Sequence, residues 1–230
     1  MHLPALFAYL QGLREHNNKA WFVMNKPAYD ILRAEFIVLA GQVATALGQH
    51  DPSVADVDPK KALFRIYRDV RFSNDKTPYK SRFSAALARD ATARKTGPMY
   101  YFHIDADGRL YLGAGSYLPP AELLVKLRRR MLDDTAGLTK IVRRKKFAAT
   151  FGGLNQEDRL ARLPKGYDPQ DPAVEQAATY LRLKSLAASV EVDLTGPFGA
   201  AVANDLPGFI ATTFAAAVPL NDWIRGAFDA

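Results

Sequence analysis

The sequence predicts an α+β fold, a central antiparallel meandering sheet flanked by N-terminal and C-terminal helices. Three observations predict it. Apolar residues recur every three or four positions before residue 50, the period of a half-buried helix. Short runs rich in aromatic and branched residues follow between 63 and 113, joined by links too short for parallel crossovers. Helical spacing then returns after Pro119. With 230 residues, 48% of them hydrophobic, the chain can bury a sizeable core. It is read as a single domain over 1–230, helical over 1–50, sheet over 60–115 and helical over 119–230.

The elements follow in order. Leu3 to Glu15 carries Leu6, Phe7, Leu10 and Leu13 on one side of a short helix, which Asn17-Asn18 breaks. A longer helix is expected from Asn25 as cap, with Pro27 in its first turn, where a missing N–H is harmless. Tyr29, Leu32, Phe36, Leu39, Val43 and Leu47 form its buried stripe. Asp51 to Pro59, with two Asp-Pro steps, reads as a loop. Strands are expected at Leu63–Phe72, Phe83–Ala88, Met99–Asp105 and Arg109–Gly113, with Asp107-Gly108 as a hairpin turn and 89–98 as a longer polar loop. Gly113 to Pro120 leaves the sheet, and Pro119-Pro120 opens a helix that buries Leu123, Leu124, Leu127 and Met131. Asp171 caps another helix, and 207–230 is helical with a break at Pro219.

The totals narrow the function. No cysteine is present, which excludes disulfides, thiol catalysis and cysteine metal sites. The amino terminus lacks a secretory pattern. The weakly charged run 206–220 is interrupted by Pro207 and Pro219 and falls short of the roughly 20 residues that span a bilayer. A cytoplasmic protein without a membrane partner is expected. The net charge of +7 is uneven. Residues 60–82 hold eight Lys/Arg against two Asp, and 126–146 hold nine against two, so the rest of the chain sums to −6. A basic middle favours an anionic partner, or pairs with the acidic flanks.

The densest chemistry lies in the run RIYRDVRFSNDKTPYKSRFSA from Arg65 to Ala85. Between Arg65 and Lys80, five cations meet two acids, an excess of three. Strand alternation places Arg65, Tyr67, Asp69 and Arg71 on a polar face and Phe64, Ile66, Arg68, Val70 and Phe72 on a core face, where Arg68 must be paired or bend out. Pro78 shapes a turn that brings Lys76, Tyr79 and Lys80 back over the strand end. One reading is a site for a phosphate or carboxylate, with Arg65, Arg68, Arg71, Lys76, Tyr79 and Lys80 as ligand-binding residues. Tyr67, Asp69 and Asp75 would support it, as would Tyr101 and His103, which share a strand face with Asp105. The other reading is an internal ion-pair lattice that locks a hairpin. His103 beside arginines would stay neutral and could act as a base.

The same run resembles the signature of the domain-of-unknown-function family 2461, found in bacteria and fungi. NNKAWF at 17–22, GAGSYLP at 113–119, LPKGYD at 163–168, LRLKSL at 181–186 and PLNDWI at 219–224 are similar to that family in the same order. Ala114 stands where similar proteins often have glycine. The resemblance implies a single-domain unit and carries no activity, substrate or catalytic residue.

Other features are weaker. His2, His16, His50 and His103 show no metal-ligand spacing, so no metal is expected. Gly113 to Gly115 is not a Walker loop. Arg128, Arg129 and Arg130 fan around a helix, yet Lys126–Arg130 with Lys140–Lys146 could contact nucleic acid. Lys165 and Lys184 could converge on the basic site. The leading expectation is a binder of a small phosphorylated or carboxylated ligand, extending to phosphate-ester or nucleotide chemistry. The alternatives are a nucleic-acid-binding protein or a structural protein with internal ion pairs. No catalytic residue, cofactor or oligomeric state follows from the pattern.

Overall fold

The spacing of the first fifty residues folds into three helices. In a computed structural model, which describes residues 1–71, 73–89 and 97–228, α1 (Leu3–Glu15) buries Leu6, Leu10 and Leu13. Asn18 then caps a short helix that the spacing did not mark, α2 (Lys19–Met24), by accepting from the Trp21 N–H at 3.0 Å. Next comes α3 (Lys26–Gly48), which starts at Asn25 as expected. Asn25 does not cap it, because its Nδ2 donates to the Trp21 carbonyl at 2.9 Å and closes α2 instead. Leu32, Phe36, Leu39, Val43 and Leu47 are buried, the expected stripe. The Asp-Pro steps are both turn starts. Asp51 caps a 3-10 turn over Pro52–Val54, and Asp58 caps the one-turn α4 (Pro59–Ala62).

The sheet is a four-stranded antiparallel meander in the order β1 (Arg82–Leu87), β2 (Met99–Asp105), β3 (Arg109–Ser116), β4 (Leu186–Asp193). On β2, Tyr100, Phe102 and Ile104 are buried, while Tyr101, His103 and Asp105 line the opposite, half-buried face. Gly108 closes the β2–β3 turn at φ 72°, a conformation glycine adopts freely.

Several expectations change here. Among the described residues of the expected strand Leu63–Phe72, none lies in a strand. The stretch makes isolated bridges only, Leu63 with Ala85 and Tyr67 with Tyr79. The Phe64 N–H reaches the Ser84 carbonyl at 2.9 Å, and the chain then leaves the edge of β1. A narrow pairing follows, with Arg68 N–H on Pro78 O at 2.9 Å and Lys80 N–H on Ile66 O at 2.8 Å. Beyond it, Asp69 and Asp75 bond their own neighbours' backbone and side chains, which ends the ladder. The expected alternation holds at Ile66, which is buried, and fails at Phe64, which is exposed. Phe72, and 90–96 of the expected 89–98 loop, lie outside the described residues. Gly113–Ser116 does not leave the sheet but completes β3, with Ala114 buried in it. The region after 119, expected to be helical, also contains β4.

The chain groups into two compact units. The first comprises Met1–Leu87, Tyr101–Leu112 and Glu191–Thr212. Its core joins α3 to the sheet, with the Phe36 ring 5.6 Å from Phe83 and 5.4 Å from Phe102. The second comprises Ala88–Tyr100, Gly113–Val190 and Thr213–Ala230. There α5 (Ala121–Asp133), after Pro119-Pro120, buries Leu127 and Met131. Asp134 caps α6 (Thr135–Val142), which is followed by α7 (Lys145–Phe151). Asp171 caps α8 (Pro172–Leu181) as expected. After β4 come α9 (Pro197–Ala203), α10 (Leu206–Ala215) and α11 (Val218–Phe228). The C-terminal break falls at Ala216-Ala217, and Pro219 sits in the first turn of α11, where proline is tolerated. Helix α5 packs on α8 and α11.

Candidate functional site

Within the first unit, the end of α1, the 68–82 segment and the β2–β3 turn enclose a cleft of about 660 Å³. Its charged lining is Arg14, Arg68, Lys80 and Arg82 with Asp69, Asp75, Asp105 and Asp107. Asn17, Thr77, Tyr79, Ser81 and Ala106 complete it.

Most of these charges are spoken for. Arg68 donates to the Asp75 carboxylate, to Thr77 Oγ1 at 2.7 Å and to Ser73 Oγ at 3.5 Å, tying the 68–77 turn shut. The Thr77 N–H, the Arg68 guanidinium and the Thr77 hydroxyl together push the Asp75 carboxyl down to about 2. Asp69 takes two bonds from the Arg71 guanidinium, at 2.9 and 2.7 Å, and one from its backbone N–H at 3.3 Å, which hold its carboxyl below the usual range. Arg14 bonds Asp107 at 2.8 Å. Asp105 Oδ1 accepts the N–H groups of Asp107 and Arg109 at 2.9 and 3.0 Å. Arg82 is exposed and makes no ion pair among the described residues.

One aromatic residue, Tyr79, lines the cleft. Tyr79 stacks on Phe22 with centroids 4.2 Å apart and is buried, whereas Tyr67, 5.4 Å from Tyr79, stays exposed. Beside the cleft on β2, the His103 ring stacks on Tyr111 at 5.1 Å. Burial first, and the Arg82 charge second, push its imidazole down to about 4, so it is neutral at pH 7. Burial likewise raises the Tyr101 phenol.

Five of the residues singled out from sequence therefore meet at the cleft, namely Arg68, Asp69, Asp75, Tyr79 and Lys80. Six do not line it. Arg71 points outward on Asp69. Arg65 is exposed, and Lys76 donates to the Val70 carbonyl at 3.0 Å. Tyr67, Tyr101 and His103 sit in the neighbouring aromatic contacts. The difference follows from the missing strand, since without regular alternation Arg65, Arg71 and Lys76 are not held on one face. Sequence reasoning missed Arg14, Asn17 and Arg82. Arg82 had a readable signal, because it precedes the buried Phe83 and alternation sends it to the other face of β1.

A family model described as a conserved hypothetical protein, DUF2461, matches residues 5–223. The chain belongs to the DUF2461 family. No curated protein and no solved structure matches it. Several segments that suggested DUF2461 membership have structural roles. In NNKAWF, Asn17 bonds the Tyr79 backbone and Asn18 caps α2. In PLNDWI, Trp223 Nε1 donates to Asp134 at 2.8 Å. Lys165 and Lys184 are exposed, and neither lines the cleft. The three consecutive arginines of this DUF2461 chain part company. Arg128 donates to the Leu181 carbonyl at 3.1 Å, Arg129 pairs with Asp133 at 3.4 Å, and Arg130 lies 5.0 Å from the Trp223 ring centre. No group of three or more potential metal ligands lies together among the described residues.

Proposed function

We propose that the cleft binds a small ligand through a phosphate or carboxylate group. Four cations and four carboxylates line it, so its potential is set by which of them are already paired. The observation that carries the reading is Arg82, which faces the cleft with no ion pair among the described residues, while Arg14 and Arg68 are occupied by Asp107 and Asp75. A guanidinium left open in this way offers a planar fork to an oxyanion. Lys80, whose Nζ donates to the Arg65 carbonyl at 3.0 Å, adds a second positive charge. Phosphate-ester or nucleotide chemistry is the reaction class that such a ligand would bring, and the cytoplasm is where such ligands are abundant. A nucleic-acid surface over 126–146 has support only from the exposed Lys126, Lys140 and Arg143 to Lys146, because Arg128 and Arg130 are engaged elsewhere in the fold.

The test is a melting-temperature screen against inorganic phosphate, sugar phosphates, nucleotides and organic acids. A ligand at a hundred times its dissociation constant adds about 2.7 kcal/mol of stability. The expected result is a shift with one anionic class that Arg82→Ala removes and Lys165→Ala leaves intact. A screen with no shift, or a shift that survives Arg82→Ala, overturns the reading.

A further inference from the structure

Two charges that line the cleft have no ionic partner among the described residues, and they are neighbours. The Ala106 N–H donates to the Ser81 carbonyl at 3.1 Å. In an antiparallel pair that bond sets Arg82, the first residue of β1, directly opposite Asp105, the last residue of β2. Side chains so placed share one face of the sheet, with Cβ atoms about 5 Å apart. Opposite charges at that spacing can close on each other, yet Arg82 and Asp105 form no ion pair. Asp105 Oδ1 is held by the N–H groups of Asp107 and Arg109 at 2.9 and 3.0 Å, and no described group bonds Oδ2. Both side chains line the cleft. Its other acids are engaged, Asp69 by Arg71, Asp75 by Arg68 and Asp107 by Arg14. The cleft therefore presents one open cation beside one open carboxylate.

We propose that the cleft takes a free α-amino acid, its carboxylate on Arg82 and its ammonium on Asp105, a refinement that rests on the anion-binding reading above. An α-amino acid carries its two charges on either side of one carbon, close enough to answer two groups on adjacent strands. The guanidinium fork matches a carboxylate, and a carboxylate accepts from an ammonium. Charge balance decides between this ligand and a phosphate. The four cations and four carboxylates of the lining cancel, which suits a ligand that is neutral overall. A phosphate monoester, with nearly two negative charges at pH 7, would bring like charge to Asp105 and leave that carboxylate unanswered. A dicarboxylate has the same fault. A nucleotide base finds no free ring to lie on, because Tyr79, the aromatic residue of the lining, is buried and stacked on Phe22 at 4.2 Å. Asn17, Thr77, Ser81 and Ala106 make the remaining wall polar or small, so the amino acid's own side chain is polar or small as well.

The test is calorimetric titration of the full chain with the common α-amino acids, each beside its deaminated acid and its decarboxylated amine, and with inorganic phosphate. At least one amino acid should bind, and its two truncated counterparts should bind roughly ten- to a hundredfold more weakly, the worth of one charge-assisted bond. Arg82→Gln should weaken the amino acid and its deaminated acid alike. Asp105→Asn keeps an Oδ1 for the N–H groups of the turn, so circular dichroism should not change. It should remove the preference for the amino acid over its deaminated acid. Amino acids that bind no better than their deaminated acids, in wild type, overturn this inference. So does a preference that survives Asp105→Asn, or phosphate that binds more tightly than every amino acid. If the acids or phosphate still bind in those cases and Arg82→Gln abolishes it, the anion-binding reading stands. Wild type that binds none of these compounds overturns both.

Discussion

Asn17 pairs with the backbone of Tyr79 as a neighbouring strand would. Its Nδ2 donates to the Tyr79 carbonyl at 3.0 Å, and its Oδ1 accepts the Tyr79 N–H at 3.0 Å. One side chain thus replaces a missing ladder partner and fastens the cleft floor to the end of α1, 62 residues away in sequence. Asn17→Ala leaves both backbone groups of the buried Tyr79 unanswered. It should lower the unfolding free energy by about 1–3 kcal/mol in urea titrations. A loss below a few tenths would show that the pairing is incidental.

Asp75 sets an acid limit for the 68–77 turn. Its folded carboxyl is pushed down to about 2, from an ordinary value near 3.8. The stability that its bonds supply is therefore complete above about 4 and disappears as pH falls through about 2. Asp75→Asn should remove that part of the acid dependence while leaving those of Asp69, Asp107 and Asp193, whose carboxyls are also lowered. Denaturation midpoints compared between pH 2 and 5 provide the check.

His103 gives a second, separate pH window. The half-buried His103, at about 4, stays neutral when the unfolded chain, near 6.5, already takes up a proton. Its contribution is whole above 6.5 and declines as pH falls toward 4. His103→Phe should flatten that slope. Arg82→Gln removes the second-largest cause of the shift, so the imidazole should titrate at higher pH in NMR spectra. An unmoved His103 titration would separate Arg82 from this face of the sheet.

Gly115 on β3 sits tightly against the backbone of β4. It holds φ at 117°, and an added Cβ would collide with the Leu186 carbonyl oxygen and lie 2.7 Å from the Ala187 Cα. Both atoms are backbone and cannot swing aside. Gly115→Ala should destabilise by about 1–3 kcal/mol from conformation alone, read from thermal unfolding.

The meander was legible because its hairpin signals are local. Asp107-Gly108 and the alternation of Tyr100, Phe102 and Ile104 identify β2 and β3 without outside help. The fourth strand was not legible, since it opens on Leu-Ala-Ala, residues equally at home in a helix, and earns its conformation from pairing with β3. The error at 63–72 ran the other way. Aromatic and branched residues favoured a strand, but short-range bonds from Asp69 and Asp75 outbid the ladder. Five residues of the cation-rich run, Arg68, Asp69, Asp75, Tyr79 and Lys80, line the cleft. Its partners Arg14 and Asn17 were beyond reach, because only the fold brings the end of α1 to it.

The narrow pairing between 66–68 and 78–80 also has a kinetic side. Few cross-chain backbone bonds guard the stretch between them, and Arg68 and Lys80 donate two of these. Amides at 69–71 and 73–76 should trade their protons for deuterium quickly while the flanking strands hold theirs. A guest that settles on the cleft would slow that trade within this short window, so mass spectrometry of deuterated peptides could reveal occupancy before the guest's identity is known.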